Sequence, residues 1–293
     1  MANRRPGAEG GHARLRVRAR DLGTERGGLE SLAARRLAEP RHEDAVRIET
    51  LVDAEAVARA GASLTAEEAR AAVAARGRFV VAFSGGRTPW QMLRALADED
   101  MPWPAVYVVQ VDERVALDGD PDRNLTHLRD SLLAHSPLRP EQVHAMPVES
   151  PDLEAASSRY ALALRELAGT PAVLDLVHLG LGPDGHTASL VPGDRVLDVT
   201  ATDVATTGVY QGRRRMTLTF PVLNRARRIV WLVTGRDKAE MLARLSNADA
   251  SIPAGRVEQD RAVALADREA AARLADDRDR DSTGRADPRS LLA

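Results

Sequence analysis

Six short runs constrain this chain more than anything else in it: RFVVAF (78–83), AVYVVQV (105–111), VLDLVHLGL (173–181), RMTLTF (215–220), RIVWLVT (228–234) and AVALA (262–266). Each is too short for a core helix, and most lack the alternation of a half-exposed strand. They read as strands buried on both faces. Amphipathic stretches separate them. In SLTAEEARAAVAARG, Thr65 is the expected N-cap, Glu68 stands at capping-box spacing and Gly77 is the stop. TPWQMLRALAD offers Thr88 as a cap with Pro89 at the first helical position. Leu125, Leu128 and Leu132 recur at helical spacing, as do Leu153, Tyr160, Leu164 and Leu167, and DKAEMLARL is a further helix. Strand–helix alternation predicts an α/β fold: a mainly parallel, Rossmann-like sheet with helices on both faces. Ligands of such sheets bind beyond the carboxyl ends of the strands.

This pattern does not cover the whole chain. Residues 1–42 are rich in Gly, Arg and Ala with few large apolar side chains, and 275–293 alternate charges around Pro and Gly. Neither can bury enough surface to offset its ordering entropy, so both are expected to be disordered tails, one basic and one charged, around a globular unit at 43–274. The basic segment lacks the apolar centre of a secretory signal, and no run is long enough to span a bilayer. Net charge is −2, which gives no reason to expect nucleic acid or an anionic membrane as a partner. The chain has no cysteine, which excludes disulfides and thiolate metal sites. A cytoplasmic protein, monomeric or a small homo-oligomer, is the expectation.

Four constellations fall where strands end. In FSGGRTP, Gly85 and Gly86 bare the backbone just before a helix that starts near Thr88, an arrangement that cradles anions; the Gly-Lys-Ser/Thr ending of a Walker loop is missing. Asp112, Glu113 and Arg114 follow directly on AVYVVQV. They are either a solvated turn or, functionally, an aspartate for a substrate hydroxyl and an arginine for an oxyanion. In LGLGPDGHTASL, three glycines surround Asp184 and His186, the latter of a residue type that can exchange protons near neutral pH, whereas His178 within the strand reads as a hydrogen-bonded core residue. The GxGxxG there runs into Pro183, which argues against a dinucleotide fingerprint. Asp184 and His186 lack the companions of a metal site. Finally Arg213, Arg214 and Arg215 enter one strand, and Lys238 opens a helix against its dipole in a chain with no other lysine.

Together SGGRTP, DERV with Asn124, LGLGPDGHTASL with Pro192, RRMTLTFPVLNRAR, VTGRDKAEML and SIPAGRV resemble, in this order, the 6-phosphogluconolactonase family. That family is similar in turn to the glucosamine-6-phosphate deaminases and isomerases. The resemblance runs over residues 48–272. It implies the fold of that superfamily and hydrolysis of 6-phospho-D-glucono-1,5-lactone in the oxidative pentose phosphate pathway, with no cofactor and no catalytic metal. It further implies that Gly85, Gly86 and Thr88 cradle phosphate while Lys238 and one arginine of 213–215, with Arg215 favoured, close on it. His186 would activate water, supported by Asp184, with Arg114 near the lactone oxygens.

The chemistry is consistent with those residue types. Water attacking a lactone carbonyl needs a base and a positive or N–H-lined oxyanion site. A phosphate held remotely positions the ring. The deaminase relatives carry a carboxylate soon after the histidine; here Ala188-Ser189-Leu190-Val191-Pro192 has none, which favours the lactonase. A deaminase-like enzyme and a non-catalytic sugar-phosphate sensor are the alternatives. Arg87, Gln110, Arg123 and Val191 depart from the usual lactonase pattern and bring substrate affinity, more than reaction type, into question.

Overall fold

All five residues of Phe79–Phe83 are buried, as are all of Ile229–Val233 and Ala262–Asp267, because helices cover these strands from both sides. The computed structural model describes residues 46–274; the expected tails lie outside the described residues, as do 43–45 of the expected globular unit. In chain order the elements are β1 Arg47–Leu51, α1 Ala54–Arg76, β2 Phe79–Phe83, α2 Arg87–Leu96, β3 Val106–Gln110, β4 Asp112–Arg114, α3 Asn124–Ser131 and β5 Val143–His144. There follow α4 Leu153–Ala168, β6 Leu176–Gly180, β7 Val204–Thr206, β8 Arg215–Leu218, α5 Phe220–Arg225, β9 Ile229–Val233, α6 Ala239–Ser246 and β10 Ala262–Asp267.

Seven strands form one sheet in the order β1-β10-β9-β6-β2-β3-β5, and every pairing in it is parallel. Alternate residues of each strand feed opposite cores. Val80 and Ala82 pack with Tyr160 and Leu164 of α4 and with Met216 and Leu218 of β8. Phe79, Val81 and Phe83 pack with α1, with Met92 and Leu93 of α2, and with Leu125 and Leu128 of α3. From β2 the chain moves outward to β3, whereas from β6, the other neighbour of β2, it moves the opposite way to β9. Connections that diverge from adjacent strands open a crevice between their carboxyl ends. Both glycine-rich segments leave the sheet at this point.

Four local expectations need correction. RMTLTF is not a strand of the main sheet: β8 pairs antiparallel with β4 and β7 in a separate three-stranded sheet. Its Met and Leu alternate with Arg and Thr, the signature of a strand with two unlike faces, and Phe220 already begins α5. Asp112-Glu113-Arg114 is thus a strand, not a turn.

Thr65 does not cap a helix. Asp53 does, its carboxylate accepting from the Ala56 N–H at 2.8 Å, and α1 runs straight through Gly61 and Thr65. The Thr65 hydroxyl is buried and donates back to the Gly61 carbonyl at 2.7 Å, the bond that lets a threonine sit inside a helix. Gly61 brings α1 close to its neighbours; a Cβ there would stand 3.0 Å from Leu232 Cδ2 and 3.2 Å from Met92 Sδ. Gly77 ends the helix in the left-handed conformation, as expected. Likewise Thr88 lies inside α2, whose cap is Gly86.

Candidate active site

The chain leaves β2 through Ser84-Gly85-Gly86 and turns at once into α2, so the unpaired N–H groups of that helix face the crevice. Gly85 has no room for a side chain: a Cβ would lie 1.8 Å from Asn124 Oδ1. Across the crevice, β9 ends at Val233, and Thr234-Gly235 lead through a single 3₁₀ turn into α6, with Lys238 at its cap. The Thr88 and Thr234 hydroxyls bond to each other at 2.6 Å and tie the two helix starts together. Lys238 is paired only with Asp237, at 3.2 Å, among the described residues.

Beyond β6 the chain folds tightly back, with the Gly182 N–H donating to the His186 carbonyl at 2.8 Å. That turn sets His186 Nδ1 2.5 Å from Asp184 Oδ1. Nδ1 is then the donor and Nε2 the free lone pair, the tautomer a general base requires. Gly182 permits it, since a Cβ would fall 2.1 Å from Nδ1. Burial raises the Asp184 carboxyl, but the charge and hydrogen bonds of His186 outweigh it and hold the carboxyl below its ordinary value. The Tyr210 hydroxyl donates to the second oxygen, Oδ2, at 3.1 Å.

The small antiparallel sheet supplies the cations. Arg114 on β4 and Arg215 on β8 are register partners. Arg114 donates to Asn124 Oδ1 at 2.5 Å and to the Asp122 carbonyl at 3.0 Å; Arg215 reaches Gln211 Oε1 at 3.3 Å and Ser189 Oγ at 3.5 Å. Among the described residues, both guanidinium groups leave a buried Nε–H without a partner. Burial moves the Arg215 guanidinium below its usual value, with Asp112 opposing and Arg114 adding to the shift. Asp112 is itself buried and accepts from Ser189 Oγ at 2.6 Å and Asn124 Nδ2 at 3.2 Å. Of the three consecutive arginines, Arg213 pairs with Asp120 and Asp122 and Arg214 with Glu154. Arg215 alone of them lines the crevice.

A cavity of about 480 Å³ fills the crevice, and Gly85, Gly86, Thr88, Asp112, Arg114, His186, Arg215 and Lys238 all line it. Asp184 stands behind His186. Arg87 also lines the cavity, but Gln110, Arg123 and Val191 do not. The first two turn instead to Glu113, which is fully buried on β4. Its carboxylate accepts from Gln110 Nε2 at 2.9 Å and from the N–H groups of Arg114, Asn124 and Leu125, each at 2.8 Å, and pairs with Arg123 at 3.4 Å. Glu113 therefore caps α3 while fixing the backbone of Arg114. Asn124, Ser189 and Tyr210 join the site through contacts that no local spacing announces; only Asn124 had a signal, through the motif after DERV.

His178 is fully buried on β6, its Nδ1 3.0 Å from the Ser84 hydroxyl, and burial pushes its imidazole down to about 3. It is the core histidine its strand position implied. Among the described residues no three His, Asp or Glu side chains cluster closely enough to hold a metal ion, and no helix is long and apolar enough to cross a membrane.

A parallel α/β sheet with a cationic, glycine-edged cavity at its switch point defines a class of proteins that take a small anionic ligand beside an Asp–His pair. The family is narrower. Residues 52–265 match the glucosamine-6-phosphate isomerases/6-phosphogluconolactonase family, and the chain belongs to it. The 6-phosphogluconolactonase of Mycobacterium tuberculosis is 38% identical over 218 residues, covering 70% of this chain and 88% of that one. The solved 6-phosphogluconolactonase of Trypanosoma brucei superposes with a TM-score of 0.68 at 25% identity, over 79% of this chain and 99% of that one. A monomeric glucosamine-6-phosphate deaminase shares the fold, with a TM-score of 0.66 at 22% identity over 77% of this chain and 99% of its own.

Proposed function

We propose that the protein hydrolyses 6-phospho-D-glucono-1,5-lactone to 6-phospho-D-gluconate, the lactone-opening step of the oxidative pentose phosphate pathway. The observation that carries this reading is one cavity holding both a histidine oriented by a carboxylate and a cationic cradle made of helix starts. The N–H groups around Gly85, Gly86 and Thr88, with Lys238, hold the phosphate, and Arg215 closes on it. His186 Nε2 takes a proton from water as the water attacks the carbonyl carbon. The imidazolium that forms is stabilised by Asp184 and returns its proton to the ring oxygen as the C–O bond breaks. Arg114, whose Nε–H is unspent, stabilises the alkoxide. Asp112 accepts from a sugar hydroxyl. An activated lactone needs no covalent nucleophile. The catalytic unit is residues 43–274, acting in the cytoplasm as a monomer or small homo-oligomer without nucleic acid.

The test is hydrolysis of freshly generated 6-phosphogluconolactone, coupled to 6-phosphogluconate dehydrogenase and corrected for spontaneous opening. Unphosphorylated gluconolactone and glucosamine 6-phosphate run alongside. Acceleration on the phosphorylated lactone alone is expected. Absence of acceleration overturns the reading, and release of ammonia from glucosamine 6-phosphate replaces it with the deaminase.

A further inference from the structure

Between β7 and β8 the chain makes a tight hairpin whose tip folds onto the histidine–aspartate pair. Tyr210 and Arg213 exchange backbone hydrogen bonds across a two-residue loop, Gln211-Gly212, with φ of 51° and 79°. Positive φ at both central residues is the type I′ geometry that suits the twist of a hairpin. It fixes where the side chains at the tip go. Val209 projects outward, 71% exposed, while Tyr210 is partly buried.

Tyr210 makes three contacts there. Its hydroxyl donates to Asp184 Oδ2 at 3.1 Å, on the oxygen His186 does not use. Its ring meets the His186 imidazole edge to face, with centroids 5.5 Å apart. The Arg215 guanidinium carbon stands 5.0 Å over its face, and the next residue, Gln211, takes a hydrogen bond from the same arginine. One hairpin tip thus touches the base, the carboxylate behind the base and a cation of the cavity. Tyr210 does not itself line the cavity.

We infer that Tyr210 is a positioning residue that sets the basicity of His186 by sharing the Asp184 carboxylate with it. The inference rests on the reading of His186 as the base. A carboxylate that accepts a second hydrogen bond has less charge left to stabilise an imidazolium. With the hydroxyl in place the imidazole stays deprotonated to lower pH. The ring also blocks rotation of the imidazole away from Asp184.

The charged groups that contact His186 or share its cavity are Asp184 on its own loop, Arg87 at the start of α2, Asp112 and Arg114 on β4, Arg215 on β8, and Asp237 and Lys238 before α6. All seven are unchanged when the tyrosine hydroxyl alone is removed, so Tyr210→Phe isolates its effect.

The experiment measures the titration midpoint of the His186 imidazole by NMR in the full-length wild type, in Tyr210→Phe and in Tyr210→Ala, with the signal assigned by its loss in His186→Gln. In parallel, kcat/KM for the lactone is followed against pH. Losing one hydrogen bond to the carboxylate should raise the midpoint in Tyr210→Phe by about 0.5 pH unit. The sign follows from the histidine being the base: a higher midpoint keeps it protonated further up the scale, so the acid limb of kcat/KM moves the same way. Tyr210→Ala should show that shift together with a lower plateau of kcat, because the ring no longer holds the imidazole. An unchanged midpoint in Tyr210→Phe overturns the inference whatever the activity does. If the wild type fails to accelerate lactone opening, the functional reading falls separately, while the NMR titration still reports on the tyrosine.

Discussion

The cavity has two walls built on different physical principles. The edge of the parallel sheet, after β2, β6 and β9, uses backbone: glycines that let chains approach, helix starts that offer N–H groups, and a histidine held by a turn. The antiparallel sheet opposite uses side chains, with Arg114 and Arg215 held by the buried carboxylates Asp112 and Glu113 and their amide and hydroxyl partners. The first wall is specified by what is missing from each glycine; the second by charges that must be compensated before they can be buried. Several contacts join them: Asn124 fits over Gly85 while holding Arg114 and Asp112, Ser189 donates to Asp112, and Tyr210 donates to Asp184. Damage to the first wall should therefore appear in chemistry and phosphate affinity, and damage to the second in stability as well.

The sharpest contrast comes from His186→Ala. Losing the base should lower kcat by about 10²–10⁴-fold with binding of 6-phosphogluconate retained, as measured by coupled kinetics and calorimetry. On the other wall, Glu113→Ala removes a carboxylate from five partners and leaves Arg123, which is 2% exposed, with only the longer ion pair to Glu149 at 3.8 Å among the described residues. Breaking a buried pair of this kind costs about 3–5 kcal/mol of stability, readable by denaturant unfolding. If Glu113→Ala left stability intact, the distinction between the walls would fail.

Lys238→Ala should raise KM about 10–100-fold with little change in kcat, the expected loss of one charged hydrogen bond to phosphate. The effect of His178, held neutral behind the cradle, is confined to acid pH. Its folded value of about 3 lies below the ordinary 6.5, so its contribution is complete above pH 6.5 and is lost as pH falls toward 3. The slope is up to about 1.4 kcal/mol per pH unit. Unfolding of His178→Leu across that range should show a shallower acid decline than the wild type.

The first wall was legible in the sequence, and the second only in part. Glycine, proline and apolar runs are local signals, so Gly85, Gly86, His186 and Lys238 could be placed at strand ends before any coordinates. Only the resemblance favoured Arg215 over Arg213 and Arg214, because it is the pairing of β8 with β4 that decides which one faces inward. The beginning of α1 was hidden for a related reason: Gly61, Ser63 and Thr65 look like a break until Met92 and Leu232 are seen pressed against the glycine. Strands β1, β5 and β7 went unread, being short or, for β1, mostly exposed at the edge of the sheet. Gln110 and Arg123, which looked like changes to substrate contacts, proved to be partners of Glu113.

Lys238 has a practical consequence. Every other basic side chain of the Lys/Arg type in this sequence is arginine, so this is the only ε-amine in the chain. Reagents selective for lysine side chains therefore have one address, and it lies inside the cavity. An isotope-labelled methyl group installed there, which keeps the positive charge, would report on occupancy from within, without mutagenesis to remove competing lysines.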